Sequence, residues 1–178
     1  MGERPSEYLR DEHDWYVEPA WAVQALTDAI PTMHDVHDPC CGMGTICRTM
    51  YATGADLIDR GYGYPVRNFL DDENLYTNIV TNPPYKRAQE IIEHAIAVTT
   101  RRVAALVQIK FLTSQRRHAL FNKTFFERVI ILSRRPSMPP GKMLELHGEG
   151  IRGNGSMDFC WVVWNHAHRG PASVEFAM

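Results

Sequence analysis

The chain has 178 residues, 44% hydrophobic and 22% charged, with a net charge of −2, a profile of one globular domain with a sizeable core. No apolar run approaches the ~20 residues of a membrane span, and the polar, acidic start from Met1 to Asp14 is unlike a secretory leader. Cysteines at 40, 41, 47 and 160 form no Cys-x-x-Cys pair and the histidines lack ligand spacing, so the chain reads as cytoplasmic, with reduced thiols and no metal.

In chain order, apolar residues from Trp21 to Ile30 recur at helical spacing after Pro19, and Pro31 stops that helix. His34 to Asp38 is a short candidate strand that feeds the turn Asp38-Pro39-Cys40-Cys41-Gly42-Met43-Gly44, with a helix expected from Gly44 to Ala52. Ala55 to Asp59 reads as a second strand ending in an acid. Arg60 to Thr77 reads as loop with one short strand near Val66. Asn78 to Thr81 is a strand running into Asn82-Pro83-Pro84-Tyr85, and Arg87 to Thr99 has the apolar spacing of a helix. Val103 to Ile109 is a continuous apolar run suited to the buried centre of a parallel sheet. Thr113 to Phe121 reads as helix, and Arg128 to Ser133 and Phe159 to Trp164 as strands. The alternation implies a doubly wound α/β sheet.

Charge is unevenly placed. Residues 1–100 hold 7 Lys/Arg against 16 Asp/Glu, whereas residues 101–142 hold 10 Lys/Arg against Glu127 alone. A basic block beside an acidic body has the makings of a one-sided phosphate contact surface.

Gly42 and Gly44 let backbone approach a nucleotide-like group, and the helix after Gly44 would offer N–H groups to a carboxylate. Asp59, 15 residues after Gly44, is placed to accept ribose hydroxyls. Pro39-Cys40 invites a second reading as a thiolate nucleophile, but it lies inside the glycine turn, where small packing residues are expected. The Asn82-Pro83-Pro84-Tyr85 run holds two acceptors rigidly: the Asn82 side-chain oxygen and the Pro83 carbonyl. An exocyclic amine conjugated with its ring is a poor nucleophile. Acceptors on its hydrogens favour a tetrahedral nitrogen and stabilise the positive charge that develops there. Tyr85 offers a ring on which an extruded base can stack.

In this order and spacing, the two runs resemble the signature of S-adenosylmethionine-dependent amino-methyltransferases. The likeness is greatest to small phage-type enzymes that methylate the N(6) amine of adenine in DNA. The resemblance implies a class I Rossmann-like sheet, mostly parallel with an antiparallel last strand. It makes residues 1–178 a single methyltransferase domain without a separate target-recognition domain. It implies a cofactor pocket of Tyr16, Glu18, Asp38, Pro39, Gly42, Gly44, Asp59, Asn68 and Phe69, and a catalytic set of Asn82, Pro83, Pro84 and Tyr85. Phosphates would meet Arg116, Arg117, Arg134, Arg135 and Lys142, and residues 136–156 would form a substrate loop that reads sequence. Asn68 stands where the family has an acid before Phe-Leu. DNA is the expected partner, with RNA open. A protein glutamine substrate and a degraded fold acting as a nucleic-acid-binding module are the alternatives.

Overall fold

The computed structural model describes residues 14–122 and 125–178. Seven strands form one sheet in the order β2-β1-β3-β4-β6-β5-β7. In chain order they are β1 (Val36–Asp38), β2 (Thr53–Gly54), β3 (Tyr76–Thr81), β4 (Thr99–Gln108), β5 (Phe126–Leu132), β6 (Phe159–Asn165) and β7 (Ser173–Ala177). The helices are α1 (Ala20–Ala29), α2 (Thr45–Met50), α3 (Ala88–Val98), α4 (His118–Asn122) and α5 (Gly141–His147).

Alternation along β4 explains why helices cover both faces. Ala104 and Leu106 point into one core with Leu26, Ile46 and Trp161, whereas Val103, Ala105 and Val107 point into another with Ile92, Leu120 and Trp164. Both faces are covered, so the strand reads as an unbroken apolar run. The two tryptophans of β6 tie a layer to each face: Trp161 Nε1 donates to the Ala22 carbonyl at 2.8 Å and Trp164 Nε1 to the Leu120 carbonyl at 3.4 Å.

β6 pairs antiparallel with both β4 and β5, while β5 and β7 run parallel to each other. The reversed strand therefore lies inside the sheet. The strand at the end of the chain is β7, which the periodicity did not reveal because Val174 and Phe176 are exposed at the sheet edge. The helix expected over Thr113 to Phe121 is divided into 3-10 turns at Ile109–Thr113 and Gln115–Arg117, followed by the single-turn α4.

One further expectation is corrected. The second strand ends before Asp56, because both Asp56 carboxylate oxygens accept backbone N–H groups, from Gly42 at 2.9 Å and Ile58 at 3.0 Å, and this turns the chain. Residues 136–156 contain α5 and a 3-10 turn at Glu149–Ile151. Their order comes from distant partners. Val17 N–H donates to the Pro139 carbonyl and Gly141 N–H to the Trp15 carbonyl, each at 3.0 Å. A Cβ at Gly141 would lie 2.2 Å from the Trp15 ring, so this contact requires glycine.

Candidate functional site

β1 and β3 are adjacent, but the chain leaves β1 toward β2 and leaves β3 toward β4. That reversal opens a crevice beyond the carboxyl ends of the parallel strands, where open α/β sheets bind ligands. A cavity of about 300 Å³ occupies it, lined by the segment Asp14 to Glu18, the glycine turn, Asp56, Asn68, Phe69, Asn82 and Pro84.

The glycine turn leaves β1 with Gly42 at φ 51° and Gly44 at φ 80°, both in the left-handed region. Asp38 accepts the Cys40 N–H at 3.1 Å and Asp56 accepts that of Gly42, so two buried carboxyls brace the turn. Burial pushes the Asp38 carboxyl well above its ordinary range, and Cys47 and Glu18 nearby add to the shift. Side chains fill the space the glycines leave: a Cβ on Gly42 would meet Trp15 Nε1 at 2.6 Å, and one on Gly44 the Tyr64 hydroxyl at 2.0 Å. Burial raises the Cys40 thiol far above its usual value, followed by the charges of Asp38 and Asp56, which opposes a thiolate nucleophile there.

Asn82 follows β3 directly. Its Nδ2 donates to the Tyr16 carbonyl at 2.8 Å and to Glu18 Oε2 at 2.9 Å, while its Oδ1 is buried with no hydrogen-bond partner. The amide thus keeps a buried, unfilled acceptor on a residue that lines the cavity. Tyr85 stacks on Tyr16 with ring centroids 5.4 Å apart and planes 7° from parallel. Its hydroxyl is buried without a partner, and burial raises its pKa far above the usual phenol value. Glu18 is 5% exposed, and burial raises its carboxyl above the ordinary value.

The residues singled out from sequence separate into groups. Tyr16, Glu18, Pro39, Gly42, Asn68, Phe69, Asn82 and Pro84 line one cavity. Asp38, Gly44, Pro83 and Tyr85 are near those residues in the chain and are not among the cavity's lining. Asp59 is exposed and caps its own turn by accepting the Gly61 N–H at 2.8 Å, while Asp56, three residues earlier, faces the cavity. Asn68 uses its amide locally: its oxygen accepts the Leu70 N–H at 3.4 Å and its nitrogen donates to Asp71 at 2.6 Å. Trp15 and Asp56 line the cavity without having been expected there. Only the nearness of Asp56 to an apolar Thr-Gly-Ala entry could have pointed to it.

The basic block is split by the fold. Arg116, Arg134, Arg135 and Lys142 lie on segments that follow the carboxyl ends of β4 and β5 and are exposed. Arg117 is turned inward, donating to the Phe111 carbonyl at 2.7 Å with its guanidinium 4.2 Å from that ring, and Arg135 pairs with Asp158 at 2.7 Å. Arg134 lies 5.1 Å from the Trp21 ring. Arg102 and Arg128 sit at the opposite end of the sheet in ion pairs with Glu127. Lys123 lies outside the described residues. Among the described residues no helix is long and apolar enough to cross a membrane, and no cluster of His, Cys, Asp or Glu could hold a metal ion.

The chain matches no protein-family model and no curated protein. Solved structures resemble it closely in fold. A Listeria monocytogenes protein ascribed to the class I S-adenosylmethionine-dependent methyltransferases superposes with a TM-score of 0.61 at 11% identity, over 96% of this chain and 68% of that one. A Pyrococcus horikoshii protein ascribed to RNA methylation gives 0.59 at 9% identity, over 83% of this chain and 82% of that one. The M protein of the type I restriction enzyme EcoKI gives 0.58 at 13% identity; 88% of this chain aligns with 45% of that larger one. The chain carries the Rossmann-like class I methyltransferase fold.

Proposed function

We propose that this protein is an S-adenosylmethionine-dependent methyltransferase acting on the N(6) amine of adenine in DNA. The observation that carries the reading is the Asn82 carbonyl oxygen, buried and unpaired on a cavity-lining residue whose amide nitrogen is held by the two hydrogen bonds it donates. A buried acceptor without a partner costs about 1–3 kcal/mol, which suits a group awaiting a donor from substrate.

The residues present fit the cofactor. Gly42 brings backbone to the cavity, Asp56 is a buried carboxylate whose remaining lone pairs can accept ribose hydroxyls, and Phe69 and Ile58 offer apolar surface for an adenine ring. Asp56 thus takes the role expected of Asp59. When bound, S-adenosylmethionine supplies an electrophilic methyl group on a sulfonium. The chain does the rest by orientation. Asn82 Oδ1 and the Pro83 carbonyl accept the two amine hydrogens, so the nitrogen lone pair is directed out of the ring plane and the growing positive charge meets fixed dipoles. Tyr85, backed by Tyr16, provides the aromatic surface for the extruded base. Arg116, Arg134 and Lys142 are available to phosphates, which favours a nucleic acid over a protein substrate.

Nucleoside mass spectrometry of DNA and RNA from cells expressing the protein, beside Asn82→Ala, tests the reading. N(6)-methyladenine rising in DNA only with the unaltered protein is the expected result. A rise confined to RNA keeps the chemistry and changes the substrate. No rise in either, with no cofactor binding by calorimetry, leaves a nucleic-acid-binding module and overturns the proposal.

A further inference from the structure

An asparagine amide is nearly symmetric in shape but opposite in function at its two ends. An amine substrate brings donors, so it needs the oxygen. A half-turn about the terminal torsion would present Nδ2 instead, and two donors would face each other. Something must therefore choose between two orientations of similar size.

We propose that Glu18 is a positioning residue for Asn82, its carboxylate and the Tyr16 carbonyl together holding the amide nitrogen so that Oδ1 is the end left free to accept; the inference rests on the reading of Asn82 given above. The Tyr16 carbonyl can only accept, and so can an ionised carboxylate, so the two engage both hydrogens of Nδ2, at 2.8 Å and 2.9 Å. With one acceptor the choice of orientation weakens; with two, the reversed amide would set its oxygen against two other oxygens. Burying a carboxylate at 5% exposure is unfavourable unless it is hydrogen-bonded, and Asn82 is its side-chain donor.

The backbone that carries Glu18 is held from a distant part of the chain. Arg152 donates to the carbonyls of Val17 at 2.8 Å, Ser137 at 2.9 Å and Glu18 at 3.4 Å. Residues 136–156 are thereby attached to the segment that carries Glu18. The charged and titratable groups acting on Glu18 are Arg152, Arg48 on α2 and Asp38 at the end of β1, with Cys47 and Tyr85 close by. The arginines favour the charged, acceptor-only form, and Asp38 and burial oppose it.

A cofactor contact, the role the sequence suggested for Glu18, makes different predictions from a positioning role. Both are separated by measuring S-adenosylmethionine Kd by calorimetry and kcat on DNA at saturation for Glu18→Ala and Glu18→Gln, with melting temperature as the folding control. Positioning predicts that Glu18→Ala lowers kcat about 100-fold and leaves Kd within about twofold, while Glu18→Gln, which keeps an acceptor, recovers part of the loss. A raised Kd with unchanged kcat at saturation overturns the proposal. If Glu18→Ala does not fold, the Gln variant decides by the same split. The Asn82 side-chain amide resonances in 15N-labelled protein without cofactor give a readout independent of activity. They should shift as Glu18 titrates and lose that pH dependence in Glu18→Gln; resonances indifferent to both overturn the inference. Should the unaltered protein methylate nothing, the proposed function fails, and the amide resonances still decide the Glu18–Asn82 coupling.

Discussion

Where β4 and β5 begin, Arg102 and Arg128 share Glu127 at 3.1 Å and 3.0 Å, and Arg128 also reaches Glu175 at 2.8 Å. Beyond the carboxyl ends of the same strands, Arg116, Arg134 and Lys142 are exposed and, among the described residues, make no ion pair. One stretch of basic sequence thus holds cations neutralised in place and cations exposed without an ion pair. Charge that holds a sheet together is recognised by its carboxylate neighbours and partial burial, and charge for a ligand by their lack. The site end also holds the buried, unpaired Asn82 Oδ1, next to the cavity that Asn82 lines.

The largest effect expected at the site end is from Asn82→Ala. It should lower kcat by about 10² to 10³, the cost of losing one preorganised polar contact to the reacting group, with S-adenosylmethionine Kd nearly unchanged and a smaller fall in melting temperature from the Glu18 carboxylate and Tyr16 carbonyl left without that donor. A loss of stability equal to the loss of rate would erase the distinction between the two ends.

At the other end, Glu127→Ala should cost about 2–4 kcal/mol of stability in urea unfolding and leave Kd and kcat alone, because two partly buried guanidinium groups lose their shared partner. The effect should depend on pH. Burial pushes the Glu127 carboxyl up, but hydrogen bonds and charge from Arg102 and Arg128 outweigh it and hold the group below its ordinary 4.5. A carboxyl depressed on folding stabilises fully above its unfolded value, and the benefit is lost as pH falls through the folded value. The gap between Glu127→Gln and the unaltered protein should therefore narrow as pH falls below the ordinary 4.5 and close below the folded value.

Glu18 has the opposite sign. Burial holds its carboxyl above the ordinary 4.5, so stability falls as pH rises past the ordinary value, and the cost is complete once pH exceeds the folded value. Glu18→Gln should melt higher than the unaltered protein at pH 8, and the advantage should shrink as pH falls, measured by calorimetric scans across pH. Higher stability with lower kcat is what a site built at the expense of stability would show.

The smallest single effects belong to the exposed cations. Arg116→Ala and Arg134→Ala should each weaken DNA binding a few-fold, and together they should reduce the salt slope of log Kd by about 1–2, with Kd for S-adenosylmethionine unchanged. Arg102→Ala serves as the contrast: it should lower stability and leave the slope alone.

Order and motif were legible in the chain because they are local. The turn from Asp38 to Gly44 needs glycines at positive φ, the double proline after Asn82 restricts its own neighbours, and β4 shows its double-sided burial as a plain apolar run. β7 was missed because an exposed edge strand carries no burial pattern, and α5 because its order depends on Trp15 and Val17 more than 120 residues away. That Asp56 and not Asp59 faces the cavity was not legible, because strand length there is set by Asp56 folding back on Gly42, a contact between elements that spacing does not encode.

By itself, then, the amino-acid sequence determined the alternation of strands and helices, the glycine turn and the rigid Asn82-Pro83-Pro84-Tyr85 acceptor, since each follows from backbone sterics and periodicity within a short window. Only the tertiary structure decided which acid faces the cavity, which arginines are bound to carboxylates, and which end of the Asn82 amide is left free to accept. Those depend on hydrogen-bond partners 14 to 66 residues apart, brought together by the folding of the whole sheet.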